Sequence, residues 1–309
     1  MGTKRLNFKT MKWGVPPHVV DERDLRLTFN ANRIPIINAA FGSRAGSVEL
    51  FPMAPASLPG KKDYSDEMPL VEDQAQTLKC TAFALSAMIS RFLYRDLKKQ
   101  GKTPRKEDFC EDWIYDNARA LAGYNLGVSG LHPRDALELA RQKGILPQRE
   151  WDSLKSRPKK KGEALVEILK NYQIQLYSGV NQGNLADVKQ ALVTFGPLLA
   201  AIFVYPEWEI CDGVMQMPAP NQAAIGRHSI VIVGYNDVTG RLKIRNSWGN
   251  SWGADGYAVM PYDVLQRCCF SLWSAIDLLG SKDLYPLNAW EKSVSKWPQW
   301  FKDAFGIPL

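Results

Sequence analysis

The feature that most constrains the fold is a pair of short runs that lie far apart in the sequence and hold complementary chemistry. The first run contains Gln74 and Cys80, and the second contains His228 and Asn246. A thiol, an imidazole, an amide that can orient the imidazole and a second amide are the groups of a cysteine acyl-transfer site. Such a site works only when its groups meet, so we expect the fold to bring the two runs together.

The composition narrows the class of protein. Hydrophobic residues make up 45% and charged residues 23% of the 309 residues, as in ordinary globular proteins. The length allows one large core or two lobes of about a hundred residues each. The net charge of +7 is modest, and its densest cluster, residues 155–161, is short and broken by a proline. We interpret this cluster as a solvated loop and expect no nucleic acid partner.

The cysteines predict free thiols rather than a disulfide framework. Cys268 and Cys269 are adjacent and therefore poorly placed to bond each other, and no spacing is typical of a zinc site. We expect no metal and no cofactor. The sequence holds no apolar segment typical of a signal peptide and no run of 18 apolar residues that could span a bilayer. These features predict the cytoplasm or another reducing intracellular compartment.

The pattern of apolar residues changes from helical to strand-like along the chain. One apolar stripe predicts a helix that begins at Cys80 and ends before Gly101. Two further helices are predicted over 107–122 and 133–143. After about residue 174, β-type runs are predicted over 198–204, 229–235, 242–245 and 257–260. Helices first and strands later predict an α+β protein with two segregated lobes.

The two ends of the chain differ from its middle. Residues 1–62 lack a long periodic segment, and we interpret them as an extension that wraps on another part of the protein. Residues 281–309 carry three tryptophans among lysines and prolines, a spacing that suggests one amphipathic surface helix. Both ends are candidate surfaces for a partner in a larger assembly.

Each candidate site residue would, alone, have a structural explanation. A buried and inert cysteine is the commonest fate of that residue type, and a single histidine or a turn asparagine is more often structural. Cys80, however, stands at the predicted start of a helix, where the positive end of the macrodipole favours a thiolate. Its occurrence with His228, Asn246 and Gln74 favours catalysis over these explanations.

The motifs around these residues resemble those of papain-type (C1) cysteine peptidases, particularly the bacterial-type members that lack the usual disulfides. The resemblance covers roughly residues 58–277, and its most specific part is the Asn-Ser-Trp-Gly run of 246–249 with its continuation to Gly253. Further matching segments are 68–74, 80–83, 114–119, 129–131, 196–197 and 228–235.

This resemblance implies an α+β, papain-like fold with a helical left lobe, a β-barrel-like right lobe and extensions at both ends. The N-terminal extension would span residues 1–62 and the helical lobe residues 63–178. The β lobe would span residues 179–277 and the C-terminal tail residues 278–309.

The resemblance also implies roles for the residues of the catalytic site. Cys80 corresponds to the nucleophile, His228 to its general base and acid, and Asn246 to the residue that holds the imidazole through its side-chain oxygen. Trp248 would shield that hydrogen bond. Gln74, with the backbone N–H of Cys80, would form the oxyanion hole.

The substrate-binding positions implied by the resemblance are Gly130, Leu131, Ala201, Ser229 and Trp248. Gly130 matches the glycine whose backbone pairs with an extended substrate, and the next three positions fall where the family lines its main specificity pocket. The implied activity is hydrolysis of peptide or isopeptide bonds in a peptide or protein substrate. The reaction would pass through an acyl-enzyme intermediate and need no cofactor.

Departures from the family pattern leave an alternative open. Ala75 and Leu78 stand where the family usually has glycine, and Leu78 restricts the backbone and adds bulk beside the substrate. Thr77 replaces a disulfide cysteine, and Lys79 could favour a thiolate or point to solvent. The alternative is a catalytically idle papain-like domain that serves as a structural or binding subunit. A nucleic-acid binder would rest on charge alone.

Two expectations concern the state of the site. We expect Cys80 to be a reactive thiolate that is paired with His228 near neutral pH. We also expect the N-terminal extension to lie against the papain-like body, near the cleft, because it has little periodicity of its own.

Overall fold

The computed structural model describes residues 7–8, 11–17, 24–29, 35–39, 47–49, 57–156 and 163–276. The described helices are α1 (Cys80–Lys99), α2 (Glu111–Leu121), α3 (Pro133–Gln142), α4 (Gln148–Ser156), α5 (Glu163–Lys170), α6 (Leu185–Phe195) and α7 (Tyr262–Cys268). None of these helices is both long enough and apolar enough to cross a membrane. The helix predicted over 281–309 and most of the basic cluster 155–161 lie outside the described residues.

Ten described strands form one sheet. They are β1 (Leu25–Phe29), β2 (Pro35–Ala39), β3 (Ser47–Glu49), β4 (Lys61–Asp63), β5 (Leu176–Val180), β6 (Leu198–Val204), β7 (Gly226–Asn236), β8 (Arg241–Arg245), β9 (Tyr257–Pro261) and β10 (Cys269–Ile276). Their order is β3-β2-β1-β5-β10-β6-β7-β8-β9, and β4 pairs with β7 beside this path. The β1–β5 pair is parallel, and the other neighbours are antiparallel.

Helix α1 is the central helix of the molecule. It begins at Cys80, as predicted, and its last turn is followed by Gly101 in the left-handed conformation that ends many helices. The helix packs across β6 and β7, and both strands are buried along most of their length. The first residue of α1 is thereby placed against the strand that carries His228.

The other two predicted helices are present as α2, with a shifted start, and α3, whereas α4 to α7 were not predicted. Helix α2 begins at Glu111 rather than at residue 107 because Phe109 pairs with Pro147 in a β-bridge. The thiol of Cys110 then caps the helix by accepting a hydrogen bond from the N–H of Trp113. Helices α6 and α7 lie in a part of the chain for which only strands were predicted.

The extension and both lobes share the sheet. Strands β1 to β3 come from the N-terminal extension and join the sheet where β1 pairs with β5. The predicted boundary after residue 62 falls inside β4, and the boundary after residue 178 falls inside β5. The sheet therefore continues across both of these sequence boundaries.

Candidate active site

Cys80 occupies the first position of α1, directly after the loop 74–79. Its side chain is fully buried, with Ser229 and Thr81 as polar neighbours. Burial raises the pKa of the Cys80 thiol, and the polar groups of these two residues offset the effect only in part. The thiol is therefore neutral near pH 7 in this structure.

His228 lies on β7, next to Ser229, which neighbours this thiol, and Asn246 lies just after β8. Nε2 of His228 lies 2.7 Å from Oδ1 of Asn246, and the backbone N–H of Ser247 donates to the same Oδ1 at 2.8 Å. A backbone N–H can only donate, so this atom is the amide oxygen and Nε2 must carry the hydrogen. Nδ1 of His228 is then the ring atom with a free lone pair.

Trp248 covers the imidazole. Its ring stacks on that of His228 with centroids 4.5 Å apart and an interplanar angle of 27°, and both side chains are buried. Burial lowers the pKa of His228 to about 4, although the hydrogen bond with Asn246 acts in the opposite direction. The imidazole is therefore neutral near pH 7.

Gln74 is hydrogen bonded to Ser247 and is thereby connected to Asn246 and His228. Its Oε1 accepts a hydrogen bond from Oγ of Ser247 at 2.6 Å, and its Nε2 donates to the carbonyl of Thr77 at 3.1 Å. The amide nitrogen carries two hydrogens, so one remains for an oxygen in the cleft. Gln74, Ser247, Asn246 and His228 thus form one connected set of hydrogen bonds.

The loop before Cys80 accommodates both departures from glycine. Ala75 adopts a φ of +50°, a left-handed conformation that glycine reaches without strain, whereas Leu78 is not among the described residues with positive φ. The ammonium of Lys79 lies 2.5 Å from a carboxylate oxygen of Asp112. Lys79 is therefore directed to α2 and does not act on the thiol.

Residues 11–17, here called the cleft segment, lie over Cys80. Gly14 is so close that a Cβ on it would lie 2.7 Å from Sγ of Cys80 and 2.6 Å from the carbonyl oxygen of Leu78. The carbonyl of Gly14 accepts a hydrogen bond from the N–H of Leu131 at 2.8 Å. The N-terminal extension thus lies in the cleft itself.

Aromatic side chains anchor the segment on one side of Cys80. The ring of Trp13 lies on Gly226, where a Cβ would overlap with it. Phe8 makes edge contacts at 5.4 Å with the rings of both Trp13 and Trp248, and its N–H donates to a carboxylate oxygen of Glu209 at 3.2 Å. These contacts join the extension to the tryptophan that covers the imidazole.

Val15, the residue after Gly14, packs beside Cys80. It is buried in a small apolar cluster with Cys80 and Ala201, and Phe270 packs on this cluster. The ring of Phe270 lies 4.7 Å from that of Phe203. Ala201 therefore lies next to Cys80. Phe270 was not among the predicted residues because its place depends on the register of β10 beside β6.

The remaining predicted substrate-binding residues also border this region. Leu131 is buried and offers its N–H to Gly14. Ser229 is buried, and its hydroxyl lies 2.7 Å from that of Thr81. Gly130 has a φ of +85°, and a Cβ there would overlap with the carbonyl of Gly14, so it permits close approach of the segment. The hydrogen bond to the segment comes from Leu131 rather than from Gly130.

Burial of this site opposes the expected charge state. It raises the pKa of the Cys80 thiol and lowers the pKa of His228, so it disfavours the thiolate–imidazolium pair predicted for these residues. Two buried charges are costly unless hydrogen bonds and solvent compensate them. Among the residues that the structure describes, no group of three or more His, Cys, Asp or Glu side chains is arranged to hold a metal ion.

Known proteins resemble this chain in sequence and fold. Xylellain, a cysteine protease from Xylella fastidiosa, has a solved structure that matches with a TM-score of 0.66 and 26% identity, covering 89% of this chain and 98% of that chain. An uncharacterised peptidase C1-like protein of Acanthamoeba polyphaga mimivirus is 26% identical over 202 residues, which are 62% of this chain and 63% of that protein. Digestive cysteine proteinase 1 of Homarus americanus is 27% identical over 207 residues, 64% of this chain and 60% of that protein.

The chain thus spans less than two thirds of the length of these two curated relatives. The family model for the papain family of cysteine proteases matches residues 58–272, which is more than half of the chain. This match includes Gln74, Cys80, His228 and Asn246. The chain belongs to the papain family of cysteine proteases.

Proposed function

We propose that this chain is a cysteine peptidase that hydrolyses peptide or isopeptide bonds through Cys80, and that the cleft segment holds it closed. The observation that carries the proposal is the 2.7 Å hydrogen bond between Nε2 of His228 and Oδ1 of Asn246. This bond fixes the tautomer in which Nδ1 is the base, and Ser229, the next residue after His228, is a polar neighbour of the Cys80 thiol.

The chemistry follows from these positions. Nδ1 of His228 takes the proton of Cys80, and the sulfur forms a bond with the carbonyl carbon while the π electrons move to oxygen. The oxyanion accepts hydrogen bonds from Nε2 of Gln74 and the backbone N–H of Cys80. When the carbon–nitrogen bond breaks, His228 returns the proton to the leaving amine. A water molecule, deprotonated by His228, then cleaves the thioester and releases the acid.

The cleft segment opposes this reaction in two ways. The backbone of Gly14 occupies the space above Sγ of Cys80 that a substrate carbonyl needs. The segment also helps to exclude water from Cys80, whose pKa is raised by burial. Departure of the segment would admit water and substrate together, and would thereby favour the charged pair of Cys80 and His228.

A single substitution tests both parts of this proposal. Gly14→Ala places a methyl group against Sγ of Cys80 and the carbonyl of Leu78, so it should displace the segment without altering the body. We expect this variant to gain an adduct at Cys80 from an epoxide inhibitor of papain-like enzymes, detected by mass spectrometry, and to hydrolyse fluorogenic peptides faster than the unaltered chain. Gly60→Ala is the matched control, since a Cβ at Gly60 meets no atom within 4 Å.

The outcomes separate the two claims. Equal labelling and turnover in Gly14→Ala and Gly60→Ala would contradict the closed state. An adduct at Cys80 without peptide turnover would contradict the peptidase and favour the alternative, an idle papain-like domain in a larger assembly. Cys80→Ser in the Gly14→Ala background should abolish both signals, which shows that they arise from this thiol.

A further inference from the structure

We infer that Arg119 is a positioning residue that fixes the backbone of residues 128–132 so that the N–H of Leu131 faces the cleft and binds the backbone of a peptide. The inference rests on the proposed function, because it concerns substrate binding in the same cleft. It gives α2, which carries none of the four candidate catalytic residues, a part in peptide binding.

Residues 128–132 are here called the strip, and the guanidinium of Arg119 donates hydrogen bonds to two of its carbonyl groups. Nη1 donates to the carbonyl of Gly130, and Nη2 donates to the carbonyl of Val128 at 2.6 Å. The guanidinium also lies over the rings of Tyr115 and Tyr124, 5.1 Å and 4.9 Å from their centroids. A planar fork held over two aromatic rings fixes two acceptors in a way that the point charge of a lysine does not.

The same two tyrosines hold the backbone donors of the strip. The hydroxyl of Tyr115 accepts from the N–H of Gly130, and the hydroxyl of Tyr124 accepts from the N–H of His132, both at 3.2 Å. Tyr124 in turn donates to a carboxylate oxygen of Asp135 at 2.6 Å. Arg119 and its two tyrosines therefore bind the strip through donors and acceptors alike.

The backbone N–H of Leu131 is the group of the strip that bonds to the cleft segment. The carbonyl of Leu131 accepts from the hydroxyl of Thr81 at 2.6 Å, whereas its N–H donates to the carbonyl of Gly14 at 2.8 Å. The N–H groups of Gly130 and His132 and the carbonyls of Gly130 and Leu131 therefore bond to side chains of the body. The N–H of Leu131 bonds instead to the cleft segment. This N–H becomes available to a peptide when the segment leaves.

Loss of Arg119 should disturb this donor before it disturbs the fold. The carbonyls of Gly130 and Val128 would lose their partner, and the peptide plane that ends in the N–H of Leu131 would be free to rotate. Arg119 is partly exposed, and its bond to Val128 lies at the surface. Water can therefore take its place at the carbonyl of Val128, whereas the carbonyl of the buried Gly130 depends on Arg119.

The test compares Arg119→Ala and Arg119→Lys, each in the Gly14→Ala background, with Arg141→Ala as the matched control. Arg141 pairs with Glu138, and both residues lie on α3. The readouts are kcat and KM for fluorogenic amides of four residues and of one residue, alkylation of Cys80 by iodoacetamide, and the midpoint of thermal unfolding.

We expect Arg119→Ala to raise KM for the four-residue amide about tenfold, the effect of one lost hydrogen bond, with a much smaller change in kcat. The one-residue amide, the alkylation rate and the unfolding midpoint should stay close to those of Arg141→Ala. Arg119→Lys should recover only part of the loss. A parallel fall in all readouts would show a merely structural role, and an unchanged KM for the longer amide would also overturn the inference.

A binding measurement separates this inference from the proposed function. A synthetic peptide of residues 7–17 should bind the Gly14→Ala chain about tenfold more weakly after Arg119→Ala, because it uses the same N–H of Leu131. If the chain hydrolyses no peptide but this difference is seen, the proposed function fails and the positioning role stands. If the chain is an active peptidase and both affinities are equal, the positioning role fails alone.

Discussion

The imidazole of His228 is the residue whose properties depend most on what covers the cleft. Trp248 stacks on one face of the ring, and Asn246 binds its Nε2, so the ring is fixed before any substrate arrives. The thiol of Cys80 is equally buried, and the two groups are neutral near pH 7 together. At the residue scale, the charge of this pair therefore depends on burial rather than on the identity of the two residues.

The buried imidazole predicts a pH dependence of stability. Burial lowers the pKa of His228 to about 4 from an ordinary value of 6.5, so between these values the unfolded chain binds a proton that the folded chain does not. The free energy of unfolding should therefore fall as the pH drops through this window, by about 3 kcal/mol at full extent. Urea unfolding at pH 7 and pH 4.5 measures this difference in the free energy of unfolding. The His228→Gln variant should lack the contribution of the imidazole to that difference. Identical pH dependence in both chains would contradict the buried, neutral imidazole.

Gln74 provides a second prediction at the residue scale. In the Gly14→Ala background, Gln74→Ala should lower kcat by about 10² to 10³ and leave KM nearly unchanged, because the amide acts on the oxyanion of the transition state. Steady-state kinetics on a fluorogenic peptide measures both constants. Gln142→Ala, at the exposed end of α3, is the control. An unchanged kcat would mean that the oxyanion is bound by other donors.

The catalytic candidates could be proposed from sequence because each stands in a short run whose neighbours are informative. Asn246 precedes Ser-Trp-Gly, and Cys80 opens a helical stripe. Gly14 and Phe270 carry no such local signal, since their roles arise only when distant segments cross at Cys80. Long-range packing of this kind is not encoded in the periodicity of either segment.

At the scale of elements, the loop 74–79 stores strain that its sequence did not reveal. Ala75 has a φ of +50°, a conformation that costs a residue with a Cβ about 1–2 kcal/mol. A glycine would remove this cost, but the greater flexibility of glycine in the unfolded chain would offset part of the gain. Ala75→Gly should therefore raise the free energy of unfolding by about 0.5–1 kcal/mol in urea titrations. Ala223→Gly is the control, since Ala223 is an exposed loop residue without a positive φ. A destabilised Ala75→Gly variant would show that the strain is absent.

Elements with strong local signals were predicted well, and elements whose ends depend on distant partners were not. The start of α1 and the proline at the start of α3 were recognised from the sequence. The start of α2 was placed too early because a β-bridge from Phe109 to Pro147 replaces its first turn. Helix α6 was missed although Asn184 caps it by accepting from the N–H of Ala186.

At the scale of the whole molecule, the N-terminal extension has two separable parts. Deletion of residues 1–17 removes the cleft segment and should raise peptide turnover with a small effect on the unfolding temperature. Deletion of residues 1–55 also removes β1 to β3, which exposes the edge of β5 and the site of the buried Leu27. That variant should unfold several degrees lower and scatter more light on heating. Equal unfolding temperatures for the two deletions would show that β1 to β3 add nothing to stability.

Strand pairing connects the parts of the chain that the sequence analysis divides into an extension and two lobes. β4 spans the predicted boundary between the extension and the helical lobe, and it pairs with β7. β5 joins the extension to the rest of the sheet through β1 and β10. The five cysteines are all unpaired, so no disulfide holds these parts together. Pairing between distant strands, which a one-dimensional pattern does not specify, explains why the predicted boundaries fall inside strands.

The pairing of β1 with β5 means that the cleft segment is tethered close to its binding site. Residues 18–23 join Pro17 to Asp24, which forms an ion pair with Arg134 at 3.4 Å. A short tether gives an effective concentration in the millimolar range, so even a segment with a dissociation constant of about 10 µM would fill the cleft about 99% of the time. One cut within residues 18–23 would reduce that concentration to the concentration of the protein itself. Inhibition would then be lost although every contact in the cleft could still form.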